Sequence, residues 1–282
     1  SSYSIDAITR RLQWVSTQPT HGTDPCHLIV NSDGSMLFVA NFMSGSIAWY
    51  PLEPDGTIRE ALGRVQHAGF SVDPVRQKGP HAHAVVLSPD ERFLFVPDLG
   101  LDRTVVYEID RIGNKLVLRD DLAISCAPGA GPRQLVFHHK LPFAYVVNEL
   151  NSTIDALSYD PSSGQLSRIA TVSTLPVVYT GNSTCADIHI STTGKYLFAS
   201  NRGHDSLAVY RISPADGTLK LLGTSSTGGA CPRNFAISGE YCFVANQDSD
   251  SIVVFTLDEN TGKLLRHGET IGIPTPVCII GT

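Results

Sequence analysis

Long apolar runs are missing from this sequence. Although 42% of its 282 residues are hydrophobic, none of them form the run of roughly 18 that a membrane-spanning helix needs. Positive charge is also scarce. Lys and Arg number 21 against 27 Asp and Glu, a net charge of -6, which argues against a broad nucleic-acid or anionic-membrane surface. Any anion must therefore be held by a local cluster of arginines. The six cysteines, at 26, 126, 185, 231, 242 and 278, contain no CxxC pair, so neither a zinc finger nor a disulfide scaffold is signalled and buried thiols are expected. A GxSxG nucleophile elbow is lacking. The segment GAGPR at 129–133 leads into a strand pattern and not a helix, which excludes a dinucleotide loop. No signal-peptide pattern is visible, and the chain opens SSYS without a methionine. Further residues ahead of it and a cytoplasmic location are the expectations.

What is present is a repeat. The segments LFVAN, LFVPD, YVVN, LFASN and FVAN end at Asn41, Asp98, Asn148, Asn201 and Asn246, spaced by 57, 50, 53 and 45 residues. Each follows a short strand and turn. Each precedes a third apolar run (SIAWYPL, TVVYEI, TIDALSY, SLAVYRI, SIVVFTL), then a glycine turn and a fourth strand. Four short strands per repeat, with no helical period, make one blade of a β-propeller. The glycines at 34, 56, 164, 194, 217 and 262 read as turn residues. The fold expected is an all-β propeller of four-stranded antiparallel blades, a single domain over residues 1–282, with five complete repeats. YSIDAITRRLQWVS reads as two outer strands of another blade and PTPVCIIG as an innermost strand, so the two ends are expected to share a blade, which makes the count about six, or seven if a blade's worth of chain precedes this sequence.

In such a blade the start of the first strand and the end of the second lie at the same end, because the two run antiparallel. The first-strand column reads Cys26, His83, Arg133, Ala186, Arg233 and Val277. The residue after the second strand reads Phe42, Leu99, Glu149, Arg202 and Gln247. His83, Arg133, Glu149, Arg202 and Arg233 are thus expected to converge as a polar cluster. One reading is an ion-pair network that satisfies itself. Three arginines around one carboxylate instead leave positive charge for an anionic ligand, which is the reading preferred. His81 and His83 share a strand face, but no third ligand matches them, so no metal or other cofactor is expected. His138 and His139 fall in a turn at the opposite end of the blade and are expected to be solvated.

The runs GAGPRQLVFH, AYVVNELNSTID, CADIHISTTGKYLFASNRGHDSLAVYRI, CPRNFAISGEYCFVANQDSDSIVVF and IPTPVCI resemble the seven-bladed lactonase family. That family includes propeller-type 6-phosphogluconolactonases and carboxy-cis,cis-muconate cyclase. The resemblance runs from about residue 22 to the C-terminus. It implies seven blades where about six are encoded here, hence about one blade's worth of residues fewer than family members carry. It also implies a metal-independent site at His83, Arg133, Glu149 and Arg202, residues that the columns select by themselves. Arg233 and Gln247 are added as substrate-binding residues. Lactone ring opening needs a base, Glu149 or His83, and an arginine for the oxyanion. Muconate lactonisation, or a non-catalytic binding module, are the competing readings. The partner expected is a small phosphate- or carboxylate-bearing substrate, with no nucleic acid and no membrane.

Overall fold

A computed structural model describes residues 1–280. The chain forms two compact units, Ser1–Gly129 and a second that begins at Ala130. Among the described residues no helix is long and apolar enough to cross a membrane.

In the first unit, Ser2–Ile5 pairs antiparallel with Leu12–Ser16 as the two-stranded sheet foreseen at the N-terminus. A first blade follows, with Pro25–Val30, Met36–Asn41, Ser46–Pro51 and Gly63–Gln66 side by side. Its fourth strand starts five residues beyond the DGTI turn, where Ile58 makes only an isolated bridge to Leu52. The second blade contains Val86–Leu87, Phe93–Asp98, Arg103–Asp110 and Lys115–Leu118, and Ile124–Ser125 also pairs with its third strand.

The second unit holds three blades. The third blade is Pro132–Phe137, Phe143–Asn148, Thr153–Asp160 and Gln165–Ser173. The fourth is Thr184–Ile190, Tyr196–Arg202, Ser206–Ile212 and Leu219–Ser226. The fifth is Pro232–Ser238, Tyr241–Asn246, Ser251–Asp258 and Lys263–Arg266, with Ile271–Gly272 beside its third strand. The antiparallel four-stranded blades are those of the propeller fold. The C-terminal run departs from expectation. Residues 274–280 form no strand; the Ile279 amide instead donates to Asn234 Oδ1 at 2.6 Å. Val277 accordingly leaves the first-strand column, and Gly281 lies outside the described residues.

The second strand of the fourth blade is apolar on both faces because that blade is packed from both sides. In Tyr196–Arg202, Leu197 and Ala199 join Phe143, Tyr145 and Val147 of the third blade. Tyr196 and Phe198 join Phe235, Val244 and Phe255 of the fifth. Burying a side chain such as Phe198, which is fully enclosed, stabilises by about 1.5–3 kcal/mol. The polar residue closing each second strand anchors its end. Asn41, Asn201 and Asn246 donate from Nδ2 to the carbonyls of Thr20, Thr174 and Thr227 at 3.0, 3.0 and 3.2 Å. Asp98, the acidic exception, lies 2.7 Å from His67 Nδ1 and accepts from the amides of His81 and Gly100. The residue that follows, the second column, therefore starts from a fixed point.

All six predicted turn glycines have positive φ. Gly194 shows the need most plainly: at φ +79 a Cβ would also come within 2.8 Å of the His138 ring. That ring is a correction to the expectation of a solvated pair. His138 is buried, Nε2 lies 3.0 Å from Gly194 O, and Nδ1 accepts from the Lys140 and Leu141 amides. Its role is to close the turn, and only His139 is exposed.

Candidate active site

The first strands share a local irregularity that decides where the first column points. In the third blade Pro132 pairs with Asn148 and Gln134 with Val147, so Arg133 is an extra residue in a β-bulge. The same shift occurs at Cys26, between Pro25 and His27, and at Arg233, between Pro232 and Asn234. In the fourth blade it takes in Ala186 and Asp187 together. A bulge withdraws a residue from the ladder and re-aims its side chain.

Arg133 uses this freedom to reach the fourth blade. Its Nε donates to Glu149 Oε2 at 3.0 Å and its Nη1 to the Ala186 carbonyl. Glu149 follows the Asn148 anchor; its amide donates to Gly131 O at 2.7 Å and its carbonyl accepts from Cys185 N at 3.1 Å. Arg202 closes the fourth blade's second strand, with Nη2 3.0 Å from the same Glu149 oxygen and 2.8 Å from the Cys185 carbonyl it donates to. Arg133 and Glu149 are 7% and 4% exposed, so a carboxylate buried with two guanidinium groups is the centre of the site. The Arg202 Nε is buried and, among the described residues, has no hydrogen-bond partner.

Arg233, at the fifth blade's bulge, donates from Nη1 to Gln247 Oε1 at 3.3 Å. Burial holds the Arg133 guanidinium below its ordinary value, Glu149 opposes this, and the Arg202 and Arg233 charges add to it. Arg133, Glu149, Arg202, Arg233 and Gln247 are therefore gathered within the second unit. His83 belongs to the first unit. Its amide donates to Pro97 O at 2.9 Å and its ring stands edge-on to Phe42 at 5.3 Å. His81 stacks on the same Phe42 at 4.7 Å.

One member of the cluster escapes the column reading. Asp187, 3% exposed, accepts at Oδ2 from Asn234 Nδ2 at 2.6 Å and Phe235 N at 3.2 Å, with His189 Nε2 3.0 Å away. The count of one carboxylate to three arginines is thus corrected to two. The signal was the alternation of Asp187 and His189 inside the apolar run CADIHI, hidden because the bulge moves Asp187 one place beyond the aligned column. Burial works to raise the Asp187 carboxyl, but the charge and hydrogen bond of His189 outweigh it and hold it below its usual range. Burial likewise opposes protonation of His189, whose side chain keeps 38% of its exposure, yet Asp187 leaves it above its usual value.

The sign of the pH dependence follows. A raised His189 contributes stability that is complete below its unfolded value of about 6.5 and is lost as pH rises through the folded value. A depressed Asp187 contributes stability present above about 3.9 and lost as pH falls through its folded value. Thermal melts of wild type and His189→Gln should therefore differ most between about pH 5 and 6.5 and converge towards pH 9. A difference independent of pH would remove the ion pair from the structure's energetics.

The first unit has a cavity of about 340 Å³ at the other end of its blades, walled by Phe38, Trp49 and Leu116. Its Arg111 is engaged by carboxylates, lying 2.9 Å from Glu91 and 3.6 Å from Asp33. Nothing there matches the arginine–carboxylate centre of the second unit.

Comparison with known proteins agrees with the fold. The family described as lactonase, 7-bladed beta-propeller matches residues 1–280. A 6-phosphogluconolactonase of Bacillus subtilis is 33% identical over 281 residues, covering 99% of this chain and 79% of the relative. The periplasmic gluconolactonase PpgL of Pseudomonas aeruginosa superposes with a TM-score of 0.90 at 32% identity, over 97% of this chain and 77% of that one. A putative 6-phosphogluconolactonase from Bacteroides uniformis gives 0.91 at 35% identity, over 98% and 79%. The chain belongs to the seven-bladed β-propeller lactonase family.

Proposed function

We propose that this chain hydrolyses the ring ester of a sugar-acid lactone, 6-phosphogluconolactone being the substrate by which several relatives are named. The observation that carries the reading is the buried Glu149 carboxylate gripped by Arg133 and Arg202. The guanidinium groups of Arg133, Arg202 and Arg233 suit a substrate that becomes an oxyanion and leaves as an acid.

In the proposed reaction a water oxygen attacks the lactone carbonyl carbon while Glu149 takes the water proton. Arg202 stabilises the tetrahedral oxyanion, and Arg133 holds the Glu149 carboxylate in one orientation. Collapse breaks the bond from the carbonyl carbon to the ring oxygen, which receives the proton from Glu149 and leaves as a hydroxyl. Atoms balance with water alone as the second reactant. Arg233, positioned by Gln247, binds a phosphate or carboxylate on the substrate. Glu149→Gln tests the assignment of the base, since the variant that loses the proton acceptor loses kcat.

Anion binding tests the reading without turnover. A ligand held only by the folded state raises the melting temperature, so 6-phosphogluconate at millimolar concentration should raise it. Removing one charge-assisted hydrogen bond costs about 1.5–3 kcal/mol, so Arg233→Ala should weaken that binding about 10- to 100-fold. If phosphate, 6-phosphogluconate and a tricarboxylate all leave the melting temperature unchanged, an anionic substrate is ruled out and a scaffold role is favoured.

A further inference from the structure

We infer that the groove beside Arg202 is the hydroxyl-binding part of this site, and that it selects a polyhydroxylated lactone over a polycarboxylate such as a muconate. The inference rests on the hydrolytic reading above. The groove, of about 350 Å³, lies wholly in the second unit and is lined by Asn182, Thr184, Arg202, Asp205, Cys231 and Asp248, among others. Ligand pockets for small molecules begin at about 300 Å³. Gly203 keeps it open: its φ is +95, and a Cβ there would come within 2.5 Å of the Asn182 carbonyl.

The chemistry of the walls is specific. Among the described lining residues Arg202 is the only cation, shared with Glu149, while Asp205 and Asp248 bring two carboxylates. Asn182 and Thr184 add groups that both donate and accept. Vicinal hydroxyls, each a donor and an acceptor, match such a wall. A second carboxylate or a phosphate placed there would face like charge. Asp205 is held in place, its Oδ1 accepting from Gly203 N at 3.1 Å and Cys231 N at 2.8 Å.

Asp248 sits in the 3-10 turn Gln247–Ser249, whose first residue engages Arg233. One turn thus presents Gln247 to the anion-binding arginine and Asp248 to the groove. A phosphoryl group on the substrate belongs at Arg233, and the hydroxyls belong at Asp248. Cys231 is no rival nucleophile, because burial and the Asp248 charge push its thiol up.

The test compares D-glucono-δ-lactone with δ-valerolactone, the same ring ester without hydroxyls, in wild type and Asp248→Ala. Wild type should favour gluconolactone in kcat/KM by at least about 10-fold, and Asp248→Ala should shrink that preference by about 10-fold, the lower end for a lost charged hydrogen bond. An unchanged preference overturns the inference. Calorimetry with D-gluconate and pentanoate decides the matter even if no lactone is opened, an outcome that would sink the hydrolytic reading alone. Gluconate bound about 10-fold more tightly than pentanoate, with the difference erased in Asp248→Ala, retains the groove as a polyol site. Equal binding of the two acids removes it.

Discussion

Glu149→Gln is expected to lower kcat for lactone opening by about 10² to 10⁴, the range for loss of a positioned general base, with a much smaller change in the binding of 6-phosphogluconate. The amide is nearly isosteric with the carboxylate, and its oxygen can still accept from Arg133 Nε or Arg202 Nη2, each 3.0 Å from Glu149 Oε2 in the native protein. What disappears is the proton acceptor and one buried negative charge. Breaking a buried ion pair from one side can cost about 3–5 kcal/mol, so a lower melting temperature is also expected, less than that full penalty because the hydrogen bond is partly kept. The two effects are separable. Activity measured well below the melting temperature of the variant reports the chemistry, and circular dichroism reports the fold. Loss of activity only in proportion to loss of folded protein would make Glu149 a structural counter-ion.

Arg202→Ala should cost about 10² to 10³ in kcat, the effect of deleting one oxyanion donor. Its Nη2 links the Glu149 carboxylate to the Cys185 carbonyl, while its Nε is buried without a partner among the described residues. The Arg202 side chain lines the groove, and its guanidinium charge meets a full negative charge on the substrate oxygen only as the reaction proceeds. That is the condition for raising kcat and not merely tightening binding. The loss should therefore fall on kcat with KM changed little, and guanidinium added at millimolar concentration should restore part of the rate to the truncated variant. A rise in KM at constant kcat would reassign Arg202 to ground-state binding.

The repeat made the blades legible, since apolar runs closed by Asn or Asp recur with glycine turns between them, and those turns take positive φ throughout. The neighbourhood of Arg133 and Glu149 was legible for the same reason: antiparallel pairing brings Pro132 opposite Asn148, and their successors in the two columns follow. The bulges were not. An extra residue in one strand leaves no mark on hydrophobic alternation, so Asp187 fell one place outside the aligned column although it is as buried as Glu149. His138 was misjudged because its burial depends on a distant turn, at Gly194, that its own neighbours in sequence do not reveal. The strand expected at the C-terminus failed for a similar reason. Its apolar residues satisfied the pattern, but its Ile279 amide is taken by the Asn234 side chain and not by a strand partner.

The most direct measurement is acid release in a pH-stat on fresh D-glucono-δ-lactone and 6-phosphogluconolactone, with wild type, Glu149→Gln and buffer run side by side. Lactone hydrolysis at the Glu149–arginine centre predicts release by wild type far above the spontaneous rate on at least one of the two, and a return to within about 1% of the wild-type increment in Glu149→Gln, as expected for loss of a general base. Wild-type release no faster than buffer on both lactones, or undiminished release by a folded Glu149→Gln, would contradict it.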